Sequence, residues 1–195
     1  MKILAFETTD SIASVAFYSD GEVFETVIES DKRHAESVLP AAEALLSVHG
    51  LSTADMDAFA ADVGPGSFTG VRIGVCTANA LGAAHGKPVV AVNALETLAF
   101  PYGIETVCAL IDARNGNGYG AVYQNGRPID PPCACVIDTF VSALPAACRM
   151  VGTATQDPQM PSAACVARLA AEKQGEKEIA PLYLKLSQAE RMWNA

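Results

Sequence analysis

Gly64-Pro65-Gly66-Ser67-Phe68-Thr69-Gly70 is the string in this chain whose residue types and spacing speak most directly to chemistry. Between a strand and a helix, such a loop offers backbone N–H groups and the positive end of a helix dipole, a setting that can hold an anion. Gly64, Gly66, Ser67, Thr69 and Gly70 therefore form a candidate anion-binding loop. It is not a Walker-type phosphate loop, because Val71 and Arg72 follow Gly70 in place of Lys and a hydroxyl residue. The plainer reading is structural: the glycines permit a tight turn, and Ser67 or Thr69 caps the following helix. Both readings stand at this level.

Other reactive residue types are dispersed. Glu7 and Asp10 flank Thr8-Thr9 after the opening apolar run, where acids either orient a metal-bound water or simply hydrogen-bond a turn. His34, His49 and His85 form neither an H-x-x-x-H nor an H-E-x-x-H pair. Arg33-His34 precedes the first helix, placed to meet an anion or to solvate the helix start. Cys133-Ala-Cys135 is the one close pair among six cysteines, and without a second pair it is a weak metal signal. Free thiols are expected, several of them buried as small hydrophobes. The reading assigns no catalytic residue, no metal ligand and no cofactor.

Composition narrows the partners. The 195 residues carry 22 acids against 13 basic residues, a formal charge of −9. So acidic a chain grips phosphate backbones poorly by itself, so RNA would have to be reached through a basic partner. Half the chain is apolar and mean hydropathy is +0.22. That surplus fits a buried subunit contact, or simply the many alanines. No run approaches the ~20 apolar residues that span a bilayer, and the opening run is too short for a signal peptide. A cytoplasmic protein without membrane contact is the expectation.

The elements that must position these residues read as α/β. Strands are predicted over residues 2–6, 11–19 and 22–30, with Asp20-Gly21 as the hairpin turn. A helix over 37–50 places Pro40 in its first turn; a strand over 56–63, a helix over 71–85, a strand over 88–92 and a short helix over 94–100 follow. This β-β-β-α-β-α-β order is that of a ribonuclease H-like lobe. Strands over 107–112 and 118–124 begin a second, smaller lobe, with a short helix over 138–144, a strand over 149–151 and an Ala-rich helix over 162–173. The expected lobes are residues 1–101 and 102–195.

Both first-lobe helices have more apolar positions than one buried stripe needs. Val38, Ala42, Leu45 and His49 on the first, with Val71, Val75, Ala78 and Gly82 on the second, are the candidate interface. Small residues four apart allow a partner helix to approach closely, and a four-helix contact is the expectation.

GPGSFTG followed by V-R-I-G, the opening K-I-L-A-F-E-T-T, the segment R-H-A-E-S-V-L-P and the tail P-L-Y-L-K-L-S-Q-A-E together resemble the TsaB (formerly YeaZ) family, M22 glycoprotease-like and a paralogue of TsaD. That family usually has Asp where Glu7 stands and Arg where Lys185 stands. The resemblance implies an actin-like ATPase (ribonuclease H-like) fold with two lobes of mixed sheet, the second reduced. It implies a non-catalytic subunit that pairs with TsaD through the first-lobe helices, with TsaE joining, and that forms a homodimer when alone. The complex transfers threonylcarbamoyl to N6 of adenosine 37 in tRNAs reading codons that start with A, and tRNA is met only through it. In TsaD a metal-binding H-x-x-x-H follows the fifth strand; Ala94 and Leu98 stand at those positions here. The alternatives are an M22-type metallopeptidase, which needs those ligands, and an ATP-binding actin-like kinase or switch.

Overall fold

The computed structural model describes residues 1–28, 34–145 and 147–185. In chain order the first half contains β1 (Lys2–Glu7), β2 (Ala13–Ser19), β3 (Glu22–Ile28), α1 (His34–Val48), β4 (Ala58–Asp62), α2 (Phe68–His85), β5 (Val89–Val92) and α3 (Ala94–Ala99). The second contains β6 (Thr106–Asp112), β7 (Asn117–Gln124), β8 (Arg127–Pro128), β9 (Cys133–Val136), α4 (Ile137–Ser142), β10 (Arg149–Val151) and α5 (Ala163–Ala171).

β1 and β4 are apolar on both faces, so they occupy the middle of a sheet covered on both sides. The sheet order is β3-β2-β1-β4-β5, with β1, β4 and β5 parallel and the β1-β2-β3 meander antiparallel. On one face Leu4, Phe6 and Phe59 pack with Val38, Ala42 and Leu46 of α1 and Val71, Val75 and Ala78 of α2. On the other, Ile3, Ala5 and Ala60 meet Val166, Ala167 and Ala170 of α5. The period-two alternation of the strands sorts these two cores. Each fully buried Leu or Phe contributes about 1.5–3 kcal/mol to either one.

The second sheet has the order β10-β6-β7-β8, with β9 also paired to β7. α3 packs between the two sheets, its Leu95 and Leu98 in a core with Val107, Ala109 and Tyr123. α5 belongs late in the chain, yet it is tied to the first sheet. Ser14 Oγ accepts from Ala163 N at 2.9 Å, and Glu25 Oε1 accepts from Ala164 N at 3.2 Å.

This is the actin-like, ribonuclease H-like architecture. α1 starts at His34, three residues before the predicted helix, so Pro40 falls in the second turn rather than the first. α2 starts at Phe68 because Ser67 caps it, accepting from Gly70 N at 3.3 Å. β9 was not anticipated: Cys133–Val136 follows Pro131-Pro132 and is too short for an alternation to show.

Candidate functional site

The GPGSFTG loop is stitched to the end of β1. Ser67 N donates to Thr9 O at 2.7 Å, and Gly74 N donates to Thr8 Oγ1 at 3.1 Å. Thr8 Oγ1 in turn donates to Gly70 O at 2.7 Å. At the loop's base Gly64 N donates to Asp62 Oδ1 at 2.8 Å, and Gly64 O accepts from Ala94 N at 3.0 Å. Gly64 takes φ +93°, which a side chain would strain, and its bond to Pro65 is cis. A Cβ on Gly66 or Gly70 would collide with the Thr9 or Thr8 carbonyl oxygen. Close backbone approach therefore accounts for the glycines, and the amides of Gly64, Ser67 and Gly70 are spent on protein groups. Ser67 and Thr69 are exposed at the rim.

Beneath the loop is a feature that the sequence reading passed over. In the β1–β4 pairing Phe6 lies opposite Ala61, which puts Glu7 beside Asp62. Both carboxyls are fully buried, close enough for each to shift the other's titration. Thr9 N and Thr9 Oγ1 each donate to Glu7 Oε1 at 2.6 Å, while Glu7 Oε2 has no hydrogen-bond partner among the described residues. Asp62 receives Gly64 N and, at 3.4 Å, Thr97 Oγ1 from α3. Burial first, and then the Glu7 charge, hold the Asp62 carboxyl well above its ordinary range; burial also raises Glu7. Both shifts favour the protonated form of the pair. Its visible signal was Asp62 itself, the lone acid closing the apolar run 58–63.

The eight candidate interface residues do not form one surface. Val38, Ala42, Val71, Val75, Ala78 and Gly82 face inward, sealed against the first sheet. Leu45 and His49 are half-buried, and the His49 ring lies 4.2 Å from that of Phe24. A helix apolar on nearly every side does not reveal which stripe meets its own sheet. The outward residues of α2 are Arg72, Cys76, Ala80, Ala83 and Ala84; those of α1 include Leu39, Ala44 and Val48. At the start of α2 the Arg72 guanidinium sits 3.8 Å over the Phe68 ring and its Nε donates to Tyr183 Oη at 2.9 Å.

The other reactive side chains lie apart. His85 Nε2 is 3.0 Å from Thr53 Oγ1 and packs on Phe59. Arg33 and residues 186–190 of the tail motif lie outside the described residues. All six cysteines are free thiols, and only Cys108 is buried, its thiol pushed up to about 12 by that burial. Among the described residues no group of three His, Cys, Asp or Glu side chains is arranged to hold a metal. Ala94 and Leu98 are packed in the core and offer no donor atom. No described helix is long and apolar enough to cross a membrane.

The family model for TsaD, tRNA N6-adenosine threonylcarbamoyltransferase, matches residues 22–167. The chain belongs to this family. Within the TsaD family it is similar to the tRNA threonylcarbamoyladenosine biosynthesis protein TsaB of Escherichia coli, 39% identical over 128 residues that cover 64% of this chain and 55% of that protein. The chain thus spans about half the length of the curated TsaB relatives it matches. The solved structure of YeaZ from Pseudomonas aeruginosa superposes with a TM-score of 0.83 at 30% identity, covering 94% of this chain and 99% of that one. A tRNA N6-adenosine threonylcarbamoyltransferase of Erythrobacter litoralis is 39% identical over 84 residues, 37% of this chain and 24% of that protein. A TsaB-type member that shares a stretch with TsaD itself is what these likenesses describe.

Proposed function

We propose that the chain is a TsaB-type subunit of tRNA threonylcarbamoyladenosine biosynthesis in the cytoplasm, docking a TsaD-type subunit that a TsaE-type subunit joins. The observation that carries this reading is the outward side of α2. Beyond Arg72 its exposed residues are Cys76, Ala80, Ala83 and Ala84, so the exposed positions carry nothing larger than a thiol, with Ile73, Thr77 and Leu81 half-buried beside them. Another helix can approach such a face to about 8 Å between axes. α1 lies beside it and exposes Leu39 at 41% and Val48 at 84%. Arg72, Phe68 and Tyr183 stand at one end, and Arg and Tyr are among the residue types on which binding energy concentrates.

The partner offers a lobe of similar sequence, as the shared 84 residues of the Erythrobacter protein indicate. Two like helix pairs then meet about a pseudo-twofold axis, and a homodimer uses the same surface when the partner is missing. The chain supplies no reacting group in this scheme. With a net charge of −9 it leaves the tRNA phosphates to its partners.

Reconstitution tests the proposal. TsaD-type and TsaE-type subunits are incubated with threonylcarbamoyl-adenylate and unmodified tRNA, with and without this chain. Modification of adenosine 37 that depends on the chain supports it; an equal rate without the chain refutes it.

A further inference from the structure

A cavity of about 510 Å³ opens where α3, the end of α5 and the β7–β8 turn meet, on elements separate from the GPGSFTG loop and from the outward face of α2. Phe100 and Leu169 form an apolar wall, and Glu96, Lys173, Glu172 and Arg127 set two carboxylates and two cations around it. Glu96 and Lys173 pair with each other across the wall. Arg127 and Glu172 have no ion-pair partner among the described residues.

Tyr123 decides what the cavity is for. The residue is only 3% exposed, and its hydroxyl finds no hydrogen-bond partner among the described residues while lining the space. The hydroxyl is reached from the cavity, where a water or a ligand atom can complete its hydrogen bonding. Burial and the neighbouring Glu96 charge keep that hydroxyl un-ionised, able to donate as well as accept. The volume lies within the roughly 300–1,000 Å³ of small-molecule sites, and an apolar wall with a few polar groups is their usual lining.

We propose that this cavity binds a small zwitterion with an apolar side chain, an α-amino acid such as leucine or phenylalanine. The wall charges balance, so a ligand carrying net charge would enter uncompensated, whereas a zwitterion matches both unpaired groups. Its carboxylate is drawn to Arg127 and its ammonium to Glu172, the Tyr123 hydroxyl adds a hydrogen bond, and the side chain buries against Phe100 and Leu169.

Calorimetric titration of the isolated chain tests this without any partner subunit, so its outcome is independent of the function proposed above. The probes are L-leucine and L-phenylalanine, with N-acetyl-L-leucine amide as the control that lacks both charges. Saturable binding is expected with a Kd below about 1 mM, weakened about tenfold by Arg127→Ala and by Tyr123→Phe, with no binding of the amide. Arg127 is exposed and Tyr123→Phe keeps the ring, so both variants fold, which unchanged melting confirms. Failure of both amino acids to saturate, unchanged affinity in Arg127→Ala, or equal binding of the uncharged amide overturns the proposal.

Discussion

Glu7 and Asp62 lie side by side at the ends of two adjacent parallel strands, wholly buried, each carboxyl raising the cost of ionising the other. Two like charges are costly in a dry core, so burial and mutual repulsion favour a proton on the pair. The Asp62 carboxyl meets the base of the GPGSFTG loop through Gly64 N, and α3 through Thr97. The loop is therefore fixed from below by the buried Asp62 carboxyl and from the side by Thr8 and Thr9.

A pH dependence follows from the raised carboxyls. An acid with a higher pKa in the fold than in the unfolded chain leaves the native state holding the extra proton. Its stabilisation is complete below the unfolded carboxylate range, near roughly pH 4, and is lost as pH rises through the folded value. Urea midpoints measured from about pH 5 to pH 9 should fall with pH in the parent chain. Asp62→Asn imitates the protonated partner and should flatten that fall. Identical slopes in the two proteins would show that the pair does not hold its proton.

Thr8 is the second fixing point. Its buried hydroxyl donates to Gly70 O and accepts from Gly74 N, so Thr8→Val removes two buried hydrogen bonds, while those two main-chain groups, four residues apart in α2, can still pair with each other. The expected loss is about 1–3 kcal/mol, at roughly 0.5–1.5 kcal/mol for each lost hydrogen bond. Gly70→Ala, which drives a methyl into the Thr8 carbonyl, should cost about 1–3 kcal/mol or more. Chemical denaturation measures both, and a loss below about 0.5 kcal/mol in either variant, the range of neutral surface changes, would contradict the described joint.

The inward and outward faces of the helix pair should separate cleanly in thermal denaturation. Val75 is 3% exposed and packs in the first core, so Val75→Ala should lower stability by about 1–3 kcal/mol. Val48 is 84% exposed, and at concentrations where the chain is monomeric Val48→Asp should leave the melting temperature within a degree or so, inside about 0.5 kcal/mol. A stabilised core variant, or a collapsed Val48→Asp, would mean that α1 and α2 are turned the other way.

The fold was largely readable because its strands are extreme. Lys2–Glu7 and Ala58–Asp62 are too apolar for anything but central strands, and Asp20-Gly21 is a turn whose residues both take positive φ, +50° and +96°. The orientation of α2 was not readable, since a helix of Val, Ile, Gly and Ala carries little contrast between faces. Hence Val71, Val75, Ala78 and Gly82 were set at an interface that their burial assigns to the core. Asp62 was missed for another reason. Its partner Glu7 is 55 positions away, and only strand pairing brings the two together. The loop showed its glycines but not their cause, which is the approach of Thr8 and Thr9.

The account turns on whether the outward side of α2 is a docking face. Sedimentation velocity of this chain mixed with its cognate TsaD-type subunit measures that directly, comparing the parent with Ala80→Glu and Ala84→Glu, both exposed and both compatible with a helix. The account predicts a heterodimer for the parent and a loss of at least about tenfold in affinity for each variant, with the melting of the monomer unchanged. Variants that associate as tightly as the parent would contradict it.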